Sequence, residues 1–264
     1  MTQIELATVL LGATAFSVGN VNGTYRGQVL LSDKSVRSSI IKDLNLIQLC
    51  NELVVHCLAR HVGLPVPDSF VGLARPDILP VKSAPMLPDG GRLVFVSADV
   101  KVPNVTFHLN NNPSGAKVLL REIAMWADLG RLFAFDAWIA NIDRHPGNLL
   151  FGSPGSIWLI DHGHCFGGPN WKPEELNAGN EYANRLSEWM TPELDDAQRK
   201  ERTQQVAAFE ALVRDFDAAS TAEKSHIDHL LPIESVNVLK DFIEQRAGSI
   251  IQHASKALGV PVII

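Results

Sequence analysis

No block of lysine or arginine occurs in the 264 residues, and the formal net charge is −6. Nucleic acid and anionic membrane surfaces attract basic footprints, so neither is an expected partner. No apolar run is long enough to span a bilayer. Cysteine is scarce: three residues and no CxxC pair, which reads as core thiols in a reducing cytoplasm. Cys50 and Cys57, seven apart in a helix-like segment, are expected on one buried face. Cys165 falls in a loop-like stretch just after Asp161, with nothing nearby to lower its pKa. A secretory n-region is missing too. Residues 9–16 are apolar and contain Ala13-Thr14-Ala15, but only Glu5 precedes them as a charge, so they read as β-strand. There are no repeats and no low-complexity tracts.

What is present is a globular balance, 46% apolar and 20% charged, in a chain long enough for one large domain or two small lobes. Its two halves differ in pattern. Residues 6–16, 25–31, 36–44, 70–73 and 92–96 read as strands, with a turn at Ser32-Asp33-Lys34-Ser35. Residues 45–62 carry apolar side chains at helical spacing, with Asn45 as N-cap and Gly63 and Pro65 as stop signals. Residues 101–114 are rich in Asn and Pro and read as a loop. A helix is expected from about Lys117 and a second, very apolar one over 129–140. Two short runs, 149–151 and 157–160, flank a turn at Gly152-Ser153-Pro154-Gly155-Ser156. Residues 162–184 are rich in Gly, Pro and Asn, and the rest is helical, with starts at Thr191-Pro192-Glu193, Thr221, Pro232 and Glu234. The expected fold class is α+β: an N-terminal antiparallel sheet with one helix in 1–101, and a mostly helical part in 102–264.

The sharpest motif is Asn141-Ile142-Asp143-Arg144-His145-Pro146-Gly147-Asn148, followed by Leu159-Ile160-Asp161-His162-Gly163. A hairpin centred on 153–155 would pair residues whose numbers sum to about 309. That sets Asn148 opposite Asp161, with Asp143 held near by a loop that Pro146 stiffens. Phosphoryl transfer needs such a set. Mg2+ takes oxygen ligands and binds through only one or two protein groups, which suits Asn148 and Asp161. The acceptor hydroxyl must be oriented and must lose its proton, which suits Asp143. Each residue alone would read as a turn-former; three at this spacing point to function.

Two weaker constellations precede it. Lys42 lies late in a strand and Glu52 lies ten residues on, in the following helix; such a glutamate can hold a lysine toward phosphate oxygens. Lys34 is the fallback. Gly19 and Gly23, in Gly19-Asn20-Val21-Asn22-Gly23-Thr24, would let backbone amides approach phosphates. The implied cofactors are ATP and Mg2+.

These residues resemble the HipA-like kinases, especially the short form without an extra N-terminal domain. The resemblance covers roughly residues 15–168. It rests on Ile40-Ile41-Lys42, on Asn51-Glu52 with Leu58-Ala59-Arg60-His61-Val62-Gly63-Leu64-Pro65-Val66-Pro67, on Phe135-Asp136-Ala137-Trp138-Ile139-Ala140 running into the Asn141–Asn148 motif, and on Ile160-Asp161-His162-Gly163. It is similar, more distantly, to protein kinases and phosphoinositide kinases. The resemblance implies a two-lobed kinase fold with ATP between the lobes and serine/threonine protein kinase activity. It also implies a protein substrate and, for some members, an antitoxin or companion protein. By it, Asp143 is the base, Asn148 and Asp161 the Mg2+ ligands, Lys42 the phosphate lysine and Glu52 its partner.

Rival readings have distinct signatures. A phosphoinositide kinase needs basic residues after the Asp-x-Gly, where 162–184 offers Lys172 against Glu174, Glu175 and Glu181. A small-molecule kinase has no feature against it. A zinc hydrolase would draw on His145, Asp161, His162 and His164, although His145 reads more simply as a brace for its loop. A non-catalytic binding module would have lost the base or a metal ligand, and both are present.

Overall fold

The computed structural model describes residues 3–16, 23–153 and 155–260. Among the described residues, six strands lie in the first hundred: β1 (Glu5–Val9), β2 (Thr14–Ala15), β3 (Thr24–Leu30), β4 (Val36–Lys42), β5 (Ser69–Ala74) and β6 (Arg92–Ala98). They pair in the order β1-β5-β6-β4-β3-β2, and β1 also pairs with β3, so five strands close into a ring around Val9, Tyr25, Val29, Ile41, Val94 and Val96. The expected antiparallel sheet is corrected at one place: β1 and β5 run parallel, with Glu5 registered on Phe70 and Thr8 on Leu73. The reason is topological. Strand directions cannot alternate all the way round a ring with an odd number of members.

The single strand expected over 6–16 is broken. β1 pairs with one end of β3 (Thr8 opposite Leu30) and β2 with the other (Thr14 opposite Arg26), so two extra residues must be absorbed between them. They are absorbed at Leu11-Gly12, where Gly12 has φ +93°, open to glycine without steric cost.

Helix α1 (Leu46–His61) begins where Asn45 accepts the Gln48 N–H, as its cap position requires. It is buried on two sides. Leu49, Leu53 and Cys57 pack on Val71 and Phe95 of the sheet, while Cys50, Val54, Val55 and Leu58 join the helical core. Cys50 and Cys57 are thus both buried but face different neighbours. All three thiols are free, and burial pushes Cys50 and Cys57 up to about 12. Cys165 is fully buried and raised as well, so the structure leaves it inert.

Residues 101–114 are not a plain loop. Helix α2 (Val105–Asn111) starts there because Asn104 caps it, accepting the Phe107 N–H at 2.7 Å; the Asn-rich composition supplies caps. Then follow α3 (Ala116–Ala124), α4 (Leu129–Trp138), the hairpin β7 (Leu149–Ser153) and β8 (Ser156–Leu159), and α5 (Arg185–Met190), α6 (Asp196–Val213), α7 (Ala218–Lys224), α8 (Ile227–Leu230), α9 (Ile233–Ala247) and α10 (Ile250–Ala257). Thr221 lies inside α7, which Asp217 caps, and Thr191–Glu193 is a single tight turn ahead of α6. Every residue of α4 except Arg131 is buried, so it is the axis of the helical core. Trp138 meets the edges of Phe135, Phe209 and Phe216 and donates Nε1–H to the Ile243 carbonyl at 2.9 Å.

Candidate functional site

The hairpin register differs by one residue from the sequence expectation. Leu149 pairs with Leu159 and Phe151 with Ile157; the ladder shifts between Phe151 and Ser153. The turn-centred count therefore holds only at the tip. Asn148 faces Ile160, whose N–H it accepts at 3.3 Å, and Asp161 stands one residue beyond. Asp161 has φ +61°, a left-handed backbone that costs an ordinary residue of order 1 kcal/mol or more and that surrounding contacts must enforce. Its carboxylate meets Lys42, Nζ to Oδ1 at 3.2 Å.

Lys42 ends β4 and also binds Glu52 of α1, Nζ to Oε1 at 2.6 Å. Burial alone would push the Lys42 ammonium down, but the Asp161 and Glu52 carboxylates outweigh it and hold its pKa above the ordinary value. Glu52 is buried, which alone would raise it; Lys42 and His162 outweigh that and hold it ionised. Its second oxygen accepts the backbone N–H of His162 at 3.0 Å. One carboxylate thus fixes both the lysine and the residue after Asp161. Lys34, by contrast, is exposed in the β3–β4 turn.

Asp143 and Asn148 are joined separately. Asn148 Nδ2 donates to the Asp143 carbonyl at 2.7 Å, which turns the Asn148 oxygen away from it. The Asp143 carboxylate accepts from Arg185 Nη1 at 2.6 Å and lies 3.8 Å from His145 Nε2. His145 braces its loop, Nδ1 accepting the Gly147 N–H at 3.0 Å. Gly23 heads β3, one residue before Thr24, which is registered on Lys42. Gly19 lies outside the described residues.

Several residues that build the site were not singled out from the sequence. Arg144 is fully buried: it grips Asp136 of α4 at two points and donates from Nη1 to the carbonyls of Asn148 and Ile160. Asn141 donates to Asp136 and accepts the Asp143 N–H. One buried cation so ties α4, the loop and the end of the hairpin. A signal existed. Asp136 is the lone charge in the apolar run 132–140, and a buried carboxylate requires a partner.

Asn51, next to Glu52, organises the segment after Asp161. Its Nδ2 lies within 2.9–3.2 Å of the carbonyls of Gly163, Cys165 and Gly168, and its oxygen accepts Trp171 Nε1–H. Arg246 of α9 holds the next stretch through the Ala178 and Asn180 carbonyls. Asp43 accepts three backbone N–H groups, from Lys82, Ser83 and Ala84.

Among the described residues, no three of His, Cys, Asp and Glu gather into a metal cluster, and His162 faces Glu52. The four residues that a zinc site would draw on do not converge.

No family model matches this chain, and no curated protein matches it. Among solved structures, the crystal structure of a Helicobacter pylori proinflammatory kinase, CtkA, aligns over 89% of this chain and 94% of its own, with TM-score 0.54 and 15% identity. The fold is kinase-like. At that identity the match speaks to the fold alone, and the chemistry must be argued from the residues.

Proposed function

We propose that the chain is an ATP- and Mg2+-dependent phosphotransferase of the HipA-like kind, acting on serine or threonine of a protein substrate. The observation that carries this reading is Lys42, held by buried Glu52 and aimed at Asp161. On this reading residues 1–101 and 102–264 are the two lobes, and the nucleotide lies between them. Among the described residues no helix is long and apolar enough to cross a membrane, and the three cysteines are unpaired, which supports a cytoplasmic setting. An antitoxin or other companion protein is part of the same proposal.

The donor set fits the metal. Asn148 offers its amide oxygen, because its nitrogen is committed to the Asp143 carbonyl. Asp161 is half-exposed, with Lys42 on one oxygen. Both are the hard oxygen ligands that Mg2+ takes, two from protein and the rest from phosphates and water. When bound, MgATP supplies the activated phosphoryl group with its charge partly neutralised. Lys42 presents a permanent cation to phosphate oxygens. Asp143 orients the acceptor hydroxyl and takes its proton. Arg144 and Asn141 keep Asp143 and Asn148 at fixed separation, which is the part of catalysis that depends on positioning.

The test uses γ-labelled ATP with Mg2+, wild type beside Asp143→Ala. Label on the protein itself or on an added protein, lost in the variant while nucleotide binding persists, supports the reading. Label only on a phosphoinositide or a small alcohol assigns the acceptor to those classes. Nucleotide binding with no transfer to any acceptor makes the chain a binding module.

A further inference from the structure

Phosphoryl transfer concentrates negative charge on the oxygens of the migrating group, and a cation placed there lowers the barrier. The cations of the site are mostly committed. Lys42 is shared between Glu52 and Asp161. Arg144 is fully buried and spends its donors on Asp136 and two carbonyls. His145 spends Nδ1 on the Gly147 N–H, bracing its own loop. Arg185 differs. Nη1 lies 2.6 Å from Asp143 Oδ1, the side chain is 43% exposed, and its other carboxylate neighbour, Glu188, is 3.8 Å from Nε.

Arg185 is not there by a chance swing of a surface side chain. It is the first residue of α5, and Trp189, one turn later on the same face, donates Nε1–H to the Arg144 carbonyl at 2.8 Å. Two residues four apart on the helix thus address consecutive residues of the loop, 143 and 144. The helix is docked so that a guanidinium stands beside Asp143 with donors to spare.

We propose that Arg185 is a catalytic residue that binds the phosphoryl group as it passes to the acceptor. This rests on the phosphotransfer reading above. In the step, the acceptor oxygen forms a bond to the γ-phosphorus, and the bond from that phosphorus to the bridging oxygen breaks, its electron pair leaving with ADP. The hydroxyl proton goes to Asp143. Arg185, anchored on Asp143, donates its free N–H groups to the phosphoryl oxygens, so the cation acts where charge develops.

The experiment compares the wild-type chain of 264 residues with Arg185→Ala and Arg185→Lys. Single-turnover transfer from MgATP is measured together with the calorimetric affinities for MgATP and for MgADP with aluminium fluoride, which mimics the group in flight. Arg185→Ala is expected to slow transfer by about 10²–10³-fold. Its MgATP affinity should stay within about threefold, its aluminium fluoride complex should weaken in step with the rate, and added guanidinium ion should restore part of the activity. Arg185→Lys should retain an intermediate rate. The proposal is overturned if Arg185→Ala transfers as fast as wild type or faster, which would make Arg185 a plug on Asp143. It is equally overturned if MgATP and the mimic weaken alike. A wild type that transfers to nothing removes the phosphotransfer reading and this proposal together; an active wild type with an indifferent Arg185→Ala removes this proposal alone.

Discussion

Arg144 and Asp136 face each other with no access to solvent, Nε to Oδ2 at 3.0 Å and Nη2 to Oδ1 at 3.1 Å. Buried pairs of this kind return little over an apolar substitute, but removing one partner strands the other charge. Arg144→Met is therefore expected to destabilise the chain by about 3–5 kcal/mol. It should also free the Asn148 and Ile160 carbonyls and loosen Asn148 from Asp143. Denaturant melts read the first effect; a result within about 1 kcal/mol of wild type would mean that the loop is held by its other contacts.

Glu52 carries a pH signature. Its folded-state pKa is lowered to about 2 from 4.5, against burial, by Lys42 and by His162. A lowered carboxylate contributes stability above its unfolded pKa and loses it as pH falls through the folded value, so the loss lies between about 4.5 and 2. Glu52→Gln should flatten that part of the stability profile and lower stability at pH 7. Thermal melts across that range would show the opposite if Glu52 were protonated in the fold.

Asn51→Ala removes the donor shared by three carbonyls and the acceptor of Trp171. Each buried group left unpaired costs about 1–3 kcal/mol, so a loss of about 3 kcal/mol is expected after partial rescue by water. The segment 163–171 should become a site of early proteolysis. Cutting elsewhere first would show that the segment is held by other contacts.

Gly130 lets α6 approach α4. An added Cβ would lie 2.6 Å from the Arg202 carbonyl oxygen and 2.5 Å from Gln205 Oε1. Gly130→Ala should cost about 1–3 kcal/mol despite the better helix propensity of alanine. Equal or greater stability would show that the two helices can part without loss.

Local physics made much of this chain readable. Asn45 as a cap, the strand that carries Lys42 and the helical period of the segment that carries Glu52 all follow from interactions within a few residues. The candidate residues Lys42, Glu52, Asp143, Asn148 and Asp161, and the kinds of element that carry them, were legible in this way. How those elements meet was settled by long-range packing. The odd ring that forces β1 and β5 parallel, the one-residue shift that moves Asp161 past Asn148, the Asp136–Arg144 pair and the arrival of Arg185 at Asp143, 42 residues away, depend on contacts distant in sequence. Their free energy comes from whole-core packing and buried charge pairing, which no local pattern encodes.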